Sequence, residues 1–139
     1  LVHNHYCLND TKALELLPAA GEKDVAFINA SPFASGLLSG RGAPDWHPAT
    51  EADRKVFAAA AEFCRENGVP IAKLALQFSA SHPDIPTTLF SSASSASVER
   101  NLRWIDEPYE GELIEQVLQI LAPVADKQWD YDAGVERLR

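Results

Sequence analysis

From Asn29 to Gly42 the chain reads Asn-Ala-Ser-Pro-Phe-Ala-Ser-Gly-Leu-Leu-Ser-Gly-Arg-Gly, directly after the short apolar run Val25-Ala26-Phe27-Ile28. Ser31-Pro32 forces a turn, because proline fixes its own φ and pushes the preceding residue out of the helical region. The small residues that follow let the backbone come close to a ligand. Ser and Gly leave main-chain N–H groups open, a geometry suited to an anion such as a pyrophosphate. In isolation Ser-Pro-x-x-x-Gly reads as an ordinary strand-to-loop turn, so its context must decide. A second candidate is the serine run Ser91–Ser97. It reads as a strand-to-helix turn in which Ser94 or Ser95 caps a helix reaching Trp104. No metal site is expected, because no Cys or His pair has i, i+3 or i, i+4 spacing on a helix. His5, His47 and His82 read as structural or solvated side chains. Cys7 and Cys64 read as two buried thiols.

The elements that would carry these residues alternate between strand and helix patterns, which argues for an α/β layout with parallel strands. Strands are expected near residues 1–6, 25–30 and 85–90, in one sheet with helices on one face. Asp10 reads as the cap of a helix over 11–20, perturbed by Pro18 in its last turn and stopped at Gly21. Residues 31–49 form a long loop rich in Gly, Ser and Pro, a length more often functional than not. Thr50-x-x-Asp53 resembles a capping box for a helix over 51–67 with Val56, Ala60, Phe63 and Cys64 on one side. Pro70 can open the next helix, to about Ser81, presenting Ile71, Leu74, Ala75 and Phe78 inward. A last amphipathic helix runs from Glu110 to about Ala122, perturbed by Pro123. Asp106, Glu107, Glu110 and Glu112 read as a solvated acidic face. A charged tail over 126–139, with Trp129 and Tyr131, reads as fraying or folding over the end of the domain.

At 139 residues the chain holds one domain with a real core. A net charge of −8 argues against a nucleic-acid footprint and against a polybasic membrane anchor. No apolar run approaches the ~20 residues of a spanning helix, and no signal-peptide pattern opens the chain. Two unpaired thiols point to a reducing cytoplasm.

Three motifs place the chain beside a known family. The Ser31–Leu38 run resembles the end of the seventh barrel strand in aldo-keto reductases, where a Ser-Pro-Leu-x-x-Gly-Leu-Leu-like stretch wraps the nicotinamide cofactor. Upstream, His3-Asn4-His5-Tyr6-Cys7-Leu8-Asn9-Asp10 resembles that family's sixth strand and the turn after it. Downstream, Thr87–Ser94 and Val98-Glu99-Arg100-Asn101-Leu102 resemble its eighth strand and the helix that faces the cofactor's adenosine. Gly40-Arg41-Gly42-Ala43-Pro44-Asp45-Trp46-His47-Pro48 is most similar to the sugar dehydrogenases acting on L-galactose, L-fucose and similar aldoses.

The resemblance implies an α/β fold that is the C-terminal portion, strands 6 to 8 with their helices, of a (β/α)8 barrel. Such a barrel typically needs ~250 residues. Residues 1–139 would be a single partial barrel domain, read as part of a longer or two-chain whole, with 126–139 as its tail. The family's catalytic Tyr, Lys, Asp and His come from earlier strands, so no catalytic residue is assigned here. Ser31, Phe33, Ser35, Gly36 and Leu37 resemble the segment whose main-chain amides meet the pyrophosphate, where side-chain identity would matter little. Ala30 stands where the family usually stacks an aromatic ring on the nicotinamide. Ser91, Ser92 and Ser97 fall where NADP-using members carry Lys, Ser and Arg. With both cations replaced and only Arg100 nearby, NAD is favoured, NADP being the alternative. Asn101 resembles an adenine contact, or is a helix-end polar residue. His3 holds the nicotinamide carboxamide, or is an inner-face core histidine. Trp46 lines a sugar pocket, or anchors its loop. The implied function is NAD(P)-dependent oxidation or reduction of a small aldose or other carbonyl substrate. The alternative is a catalytically inactive piece that binds nucleotide or self-associates. A partner is expected in either case: a second chain, or the missing N-terminal part of the barrel.

Overall fold

Three apolar runs separated by helices become three parallel strands. In the computed structural model, which describes residues 1–129, β1 (Val2–His3), β2 (Ile28–Ala30) and β3 (Thr87–Leu89) lie side by side in that order. Val2 pairs with Asn29, and His3 with Ala30; Ile28, Asn29 and Ala30 pair with Thr87, Thr88 and Leu89. Paired residues share a face, so the sheet has two unlike sides. Val2, Asn29 and Thr88 form one side, and the Thr88 hydroxyl donates to the Ser79 carbonyl at 2.7 Å in the helix covering it. His3, Ile28, Ala30, Thr87 and Leu89 form the other, where Ile28 and Leu89 are 37% and 44% exposed.

The helices follow their caps. Thr50 and Asp53 form the reciprocal capping box at the start of α2 (Glu51–Glu66), which buries Phe57, Ala60 and Cys64. Val56 and Phe63 only border the core, and Phe57 takes the central place. α3 (Ile71–Ala80) follows Pro70 and is buried on almost every side, Lys73 and Gln77 included. Ser94 caps α4 (Ser95–Asp106) by accepting from the Ser97 amide. α5 (Gly111–Leu121) buries Ile114, Val117 and Leu121. The main core lies between α2, α3, α5 and the loop after β2; a smaller cluster around Tyr6, Ala13 and Ile85 packs by the sheet. Among the described residues no helix is long and apolar enough to cross a membrane.

Two expectations need correction. The helix expected over 11–20 is a 3-10 turn (Lys12–Leu16) followed by the five-residue α1 (Leu17–Gly21). Asp10 exchanges backbone bonds with Cys7 at 2.8 and 3.0 Å and accepts the Lys12 amide at 3.0 Å, which builds a turn rather than a helix start. Pro18, lacking an N–H, then sits in the first turn of α1, where none is needed. The acidic face also divides: Glu107 and Glu110 reach inward to the buried Lys73 ammonium at 2.8 and 3.0 Å. The Glu107 bond, joined by Glu110, raises the Lys73 pKa against the opposing effect of burial. Gln77 beside it donates to the carbonyls of Trp104 and Pro108, closing the end of α4. The expected tail begins with residues 126–129, which are tied down; Tyr131 and the remaining tail lie outside the described residues.

Candidate functional site

All three strands end at one cleft. His3, Ser31, Phe33, Ser35, Gly36 and Ser91 line a cavity of about 720 Å³ at the C-terminal edge of the sheet. The loop leaving β2 is wound in an uncommon way: Ser31, Ala34 and Ser35 have φ of 68°, 47° and 51°, and Gly36 follows at 103°. Left-handed backbone at non-glycine residues costs of order 1 kcal/mol each and persists only where neighbours hold it. Here Asn4 Nδ2 donates to Ser35 Oγ at 2.9 Å, the Ser35 amide to Ser31 Oγ at 3.3 Å, and Ser39 Oγ to the Gly36 carbonyl at 2.7 Å. A Cβ on Gly36 would meet the Ala43 Cα at 3.3 Å, so the loop closes against its own far side there.

This winding changes which groups face an anion. The Ser31 amide donates to the Leu89 carbonyl at 3.1 Å, extending the β2–β3 ladder, and the Ser35 amide is taken by Ser31 Oγ. The expectation that the amides of Ser31, Phe33 and Ser35 stand open is therefore corrected: among the described residues only the Phe33 amide of the three donates to nothing. Both hydroxyls accept in these bonds, which leaves their own hydrogens free to donate. Side-chain identity at Ser31 and Ser35 thus matters.

A groove of about 510 Å³ continues the cleft, sharing Phe33, Ser39, Arg41 and Ser91 with it. Ser91, Ser92, Ser97, Arg100 and Asn101 line it. The Arg100 guanidinium lies over the Trp104 ring, 4.9 Å from its centre. Asn101 is buried, and its Oδ1 has no partner among the described residues. The fit to a dinucleotide rests on that orphaned acceptor at one end and the hydroxyl-bearing, left-handed loop at the other. Arg41 was not singled out by sequence. Its signal is a cation between two glycines, Gly40 and Gly42, in the long loop.

Two expected residues stand apart. Leu37 is buried in the main core and contributes packing, because the 3-10 turn Ala34–Gly36 rotates it inward. Trp46 does not line the cleft; it is 69% exposed with its ring 6.0 Å from that of His47.

The long loop is held from below. Arg54 donates to the carbonyls of Ala43, Pro44, His47 and Ala49 at 2.9, 3.0, 2.9 and 3.2 Å. Nothing in the spacing of Arg54 announces this. His47 is a structural residue: it is buried, and its Nδ1 accepts the Ala49 amide at 3.0 Å. Burial, and then the Arg54 charge, pushes its pKa down. Burial pushes the Cys7 thiol up to about 12 and the Cys64 thiol up to about 11, so neither is a nucleophile at neutral pH.

Ligand sites of (β/α)8 barrels lie at the C-terminal ends of parallel strands with helices outside them, and this cleft has that placement. Two solved structures share this fold, aldo-keto reductase AKR11C1 from Bacillus halodurans in holo form (TM-score 0.67, 22% identity, 91% of this chain and 43% of that one) and in apo form (TM-score 0.64, 23% identity, 91% and 44%). The aldo/keto reductase family profile matches residues 1–122, and the chain belongs to the aldo/keto reductase family. It is 38% identical over 133 residues to L-galactose dehydrogenase of Arabidopsis thaliana, covering 93% of this chain and 42% of that protein. It is 26% identical over 111 residues to pyridoxal 4-dehydrogenase of Microbacterium luteolum, covering 77% and 32%. The chain spans less than half the length of these relatives.

Proposed function

We propose that this chain supplies the cofactor-binding part of an aldo/keto reductase that moves hydride between a nicotinamide dinucleotide and the anomeric carbon or carbonyl of an aldose. The observation that carries the reading is the left-handed Ser31–Gly36 loop, which joins the cleft at the strand ends to the Arg100–Asn101 groove. When bound, the dinucleotide supplies the hydride acceptor or donor. The chain's own residues bind and orient. The Phe33 amide and the Ser31 and Ser35 hydroxyls meet the pyrophosphate. Asn101 Oδ1 accepts from the adenine. His3 faces the carboxamide end. Proton transfer belongs to residues outside this chain.

On this reading residues 1–139 are strands 6 to 8 of the barrel with a C-terminal tail, acting in the cytoplasm. Serines at 91 and 97 favour NAD, since each charge-assisted bond to a 2′-phosphate that is forgone is worth about 1.5–3 kcal/mol. Arg41 and Arg100 are the cations that would offset this. Steady-state kinetics on the enzyme containing this chain, with L-galactose and each cofactor, test the reading. A higher kcat/KM with NAD is expected; a higher value with NADP overturns the NAD preference, and absence of NAD(P)-dependent turnover on every aldose overturns the enzyme reading.

The face carrying Ile28 and Leu89, exposed among the described residues, favours a second element of the proposal. The face is closed by the N-terminal part of the barrel or by another chain, because apolar residues on open parallel strands invite pairing. An isolated 139-residue chain would then be inactive and would self-associate, serving at most as a nucleotide-binding module. Light scattering decides: a stable, monodisperse monomer overturns it.

A further inference from the structure

Beside the dinucleotide cleft a second cavity, of about 310 Å³, opens between the turn after β1 and residues 127–129. His3 forms the wall between the two. Ala34 and the Trp129 ring give it an apolar side, and polar groups make up the rest: Asn9, Asp10, Lys127, Gln128 and, central to the argument, His5. Asp10 is buried, and its Oδ2 lies 3.1 Å from His5 Nδ1. The same oxygen accepts from Gln128 Nε2 at 3.0 Å, and Oδ1 accepts the Lys12 amide at 3.0 Å. A carboxylate held this way keeps hydrogen on the ring nitrogen facing it, and in the neutral imidazole Nε2, on the far side of the ring, is then the acceptor. Gln128 Nε2 approaches His5 Nδ1 only at 3.4 Å and serves the carboxylate instead. The His5 side chain is 39% exposed, and among the described residues Nε2 has no partner.

We propose that this cavity holds the hydroxyl-rich end of the aldose, His5 Nε2 accepting a hydrogen bond from a sugar hydroxyl while Asp10 positions the ring. The inference rests on the aldose reading above and deepens it by naming the substrate contact. A polar cavity sharing a wall with the cofactor cleft matches what a polyhydroxylated substrate needs: convergent donors and acceptors within reach of the hydride. Asn9 adds both donor and acceptor capacity, while Gln128 and Lys127 brace the wall through their bonds to Asp10 and Asp53.

Two measurements test it. In the enzyme containing this chain, His5→Phe should raise KM for L-galactose about tenfold, the equivalent of one lost hydrogen bond. KM for the cofactor and for butanal, which has no hydroxyls, should stay at the wild-type value. Asp10→Asn, which frees the ring to take the other tautomer, should raise the same KM. Equal KM changes for galactose and butanal, or none, overturn the proposal. The second measurement is independent of turnover: 15N resonances of the His5 ring in the full chain. Wild type should show the Nδ1–H tautomer, and saturating L-galactose should shift Nε2. An Nε2–H tautomer, or no shift on adding sugar, overturns the proposal. If the sugar shifts Nε2 while no aldose is oxidised, the site stands and the dehydrogenase reading fails.

Discussion

Asp53→Ala removes the residue on which the start of α2 and the C-terminal segment both depend. Asp53 is only 4% exposed. Its Oδ2 accepts the Thr50 amide at 3.0 Å and Trp129 Nε1 at 3.3 Å, and its Oδ1 accepts Lys127 Nζ at 2.6 Å. The capping-box half is worth about 1 kcal/mol. The Trp129 bond adds about 1 kcal/mol, and more if the buried N–H is left unpaired. Lys127 is partly exposed, so its pair adds only about 1 kcal/mol after screening. The expected loss is about 2–4 kcal/mol, or roughly 6–12 °C in melting temperature for a domain of this size. The pH dependence gives a second readout. Burial alone would raise the Asp53 pKa, but the bonds from Lys127, Thr50 and Trp129 outweigh it and hold the carboxyl at about 2. A carboxylate lowered on folding stabilises above its unfolded pKa of about 3.9 and loses that contribution as pH falls towards the folded value. Wild type should therefore lose stability between about pH 4 and pH 2 more steeply than Asp53→Ala. Urea unfolding followed by circular dichroism at several pH values measures both. A variant within about 0.5 kcal/mol of wild type at neutral pH, or superimposable acid slopes, would refute the reasoning.

Other outcomes follow from the same contacts. Gly36→Ala forces a left-handed alanine against Ala43 and should cost about 1–3 kcal/mol and weaken cofactor binding, read by melting and by cofactor fluorescence titration. Arg54→Met leaves the carbonyls of Ala43, Pro44, His47 and Ala49 without their donor; the 31–49 loop should become the first site of limited proteolysis, with a stability loss of about 2–3 kcal/mol. Cys7 and Cys64 should react with a thiol reagent only on unfolding, so labelling at neutral pH without denaturant should be negligible. If Arg41 and Arg100 face a 2′-phosphate, replacing both by alanine should raise KM for NADP while leaving that for NAD nearly unchanged; equal effects would place them on the shared part of the cofactor.

Local rules make most of the frame legible in the sequence. Thr50 and Asp53 announce a helix start because the bond they exchange is short in sequence, and Ser94 does the same for α4. Proline is read correctly at Pro70 and wrongly at Pro18, since a missing N–H marks either the end of one helix or the start of the next. The strand positions follow from apolar runs, but their two- or three-residue length does not, because pairing depends on neighbours far along the chain. At the site, the serines and glycines of the loop point to an anion by composition, whereas the left-handed turns that occupy the Ser31 and Ser35 amides come from contacts with Asn4 and Leu89. Nothing local announces Arg54, Lys73 or the pairing of His5 with Asp10, for the same reason: their partners are carbonyls and side chains that only the assembled fold brings near.

The bonds made by residues 126–129 also bear on the order in which parts of the chain settle during synthesis. Asp126 reaches the Thr11 amide across 115 residues, and Lys127 reaches Asp53 across 74. Closing such long loops is entropically costly and slow, so these contacts form only once the helices between them have packed. While the chain is still emerging, the turn after β1 and the first turn of α2 lack their last partners. The nascent chain is therefore most open to chaperones and proteases at Asn9–Thr11 and Thr50–Asp53 until residues 126–129 have emerged.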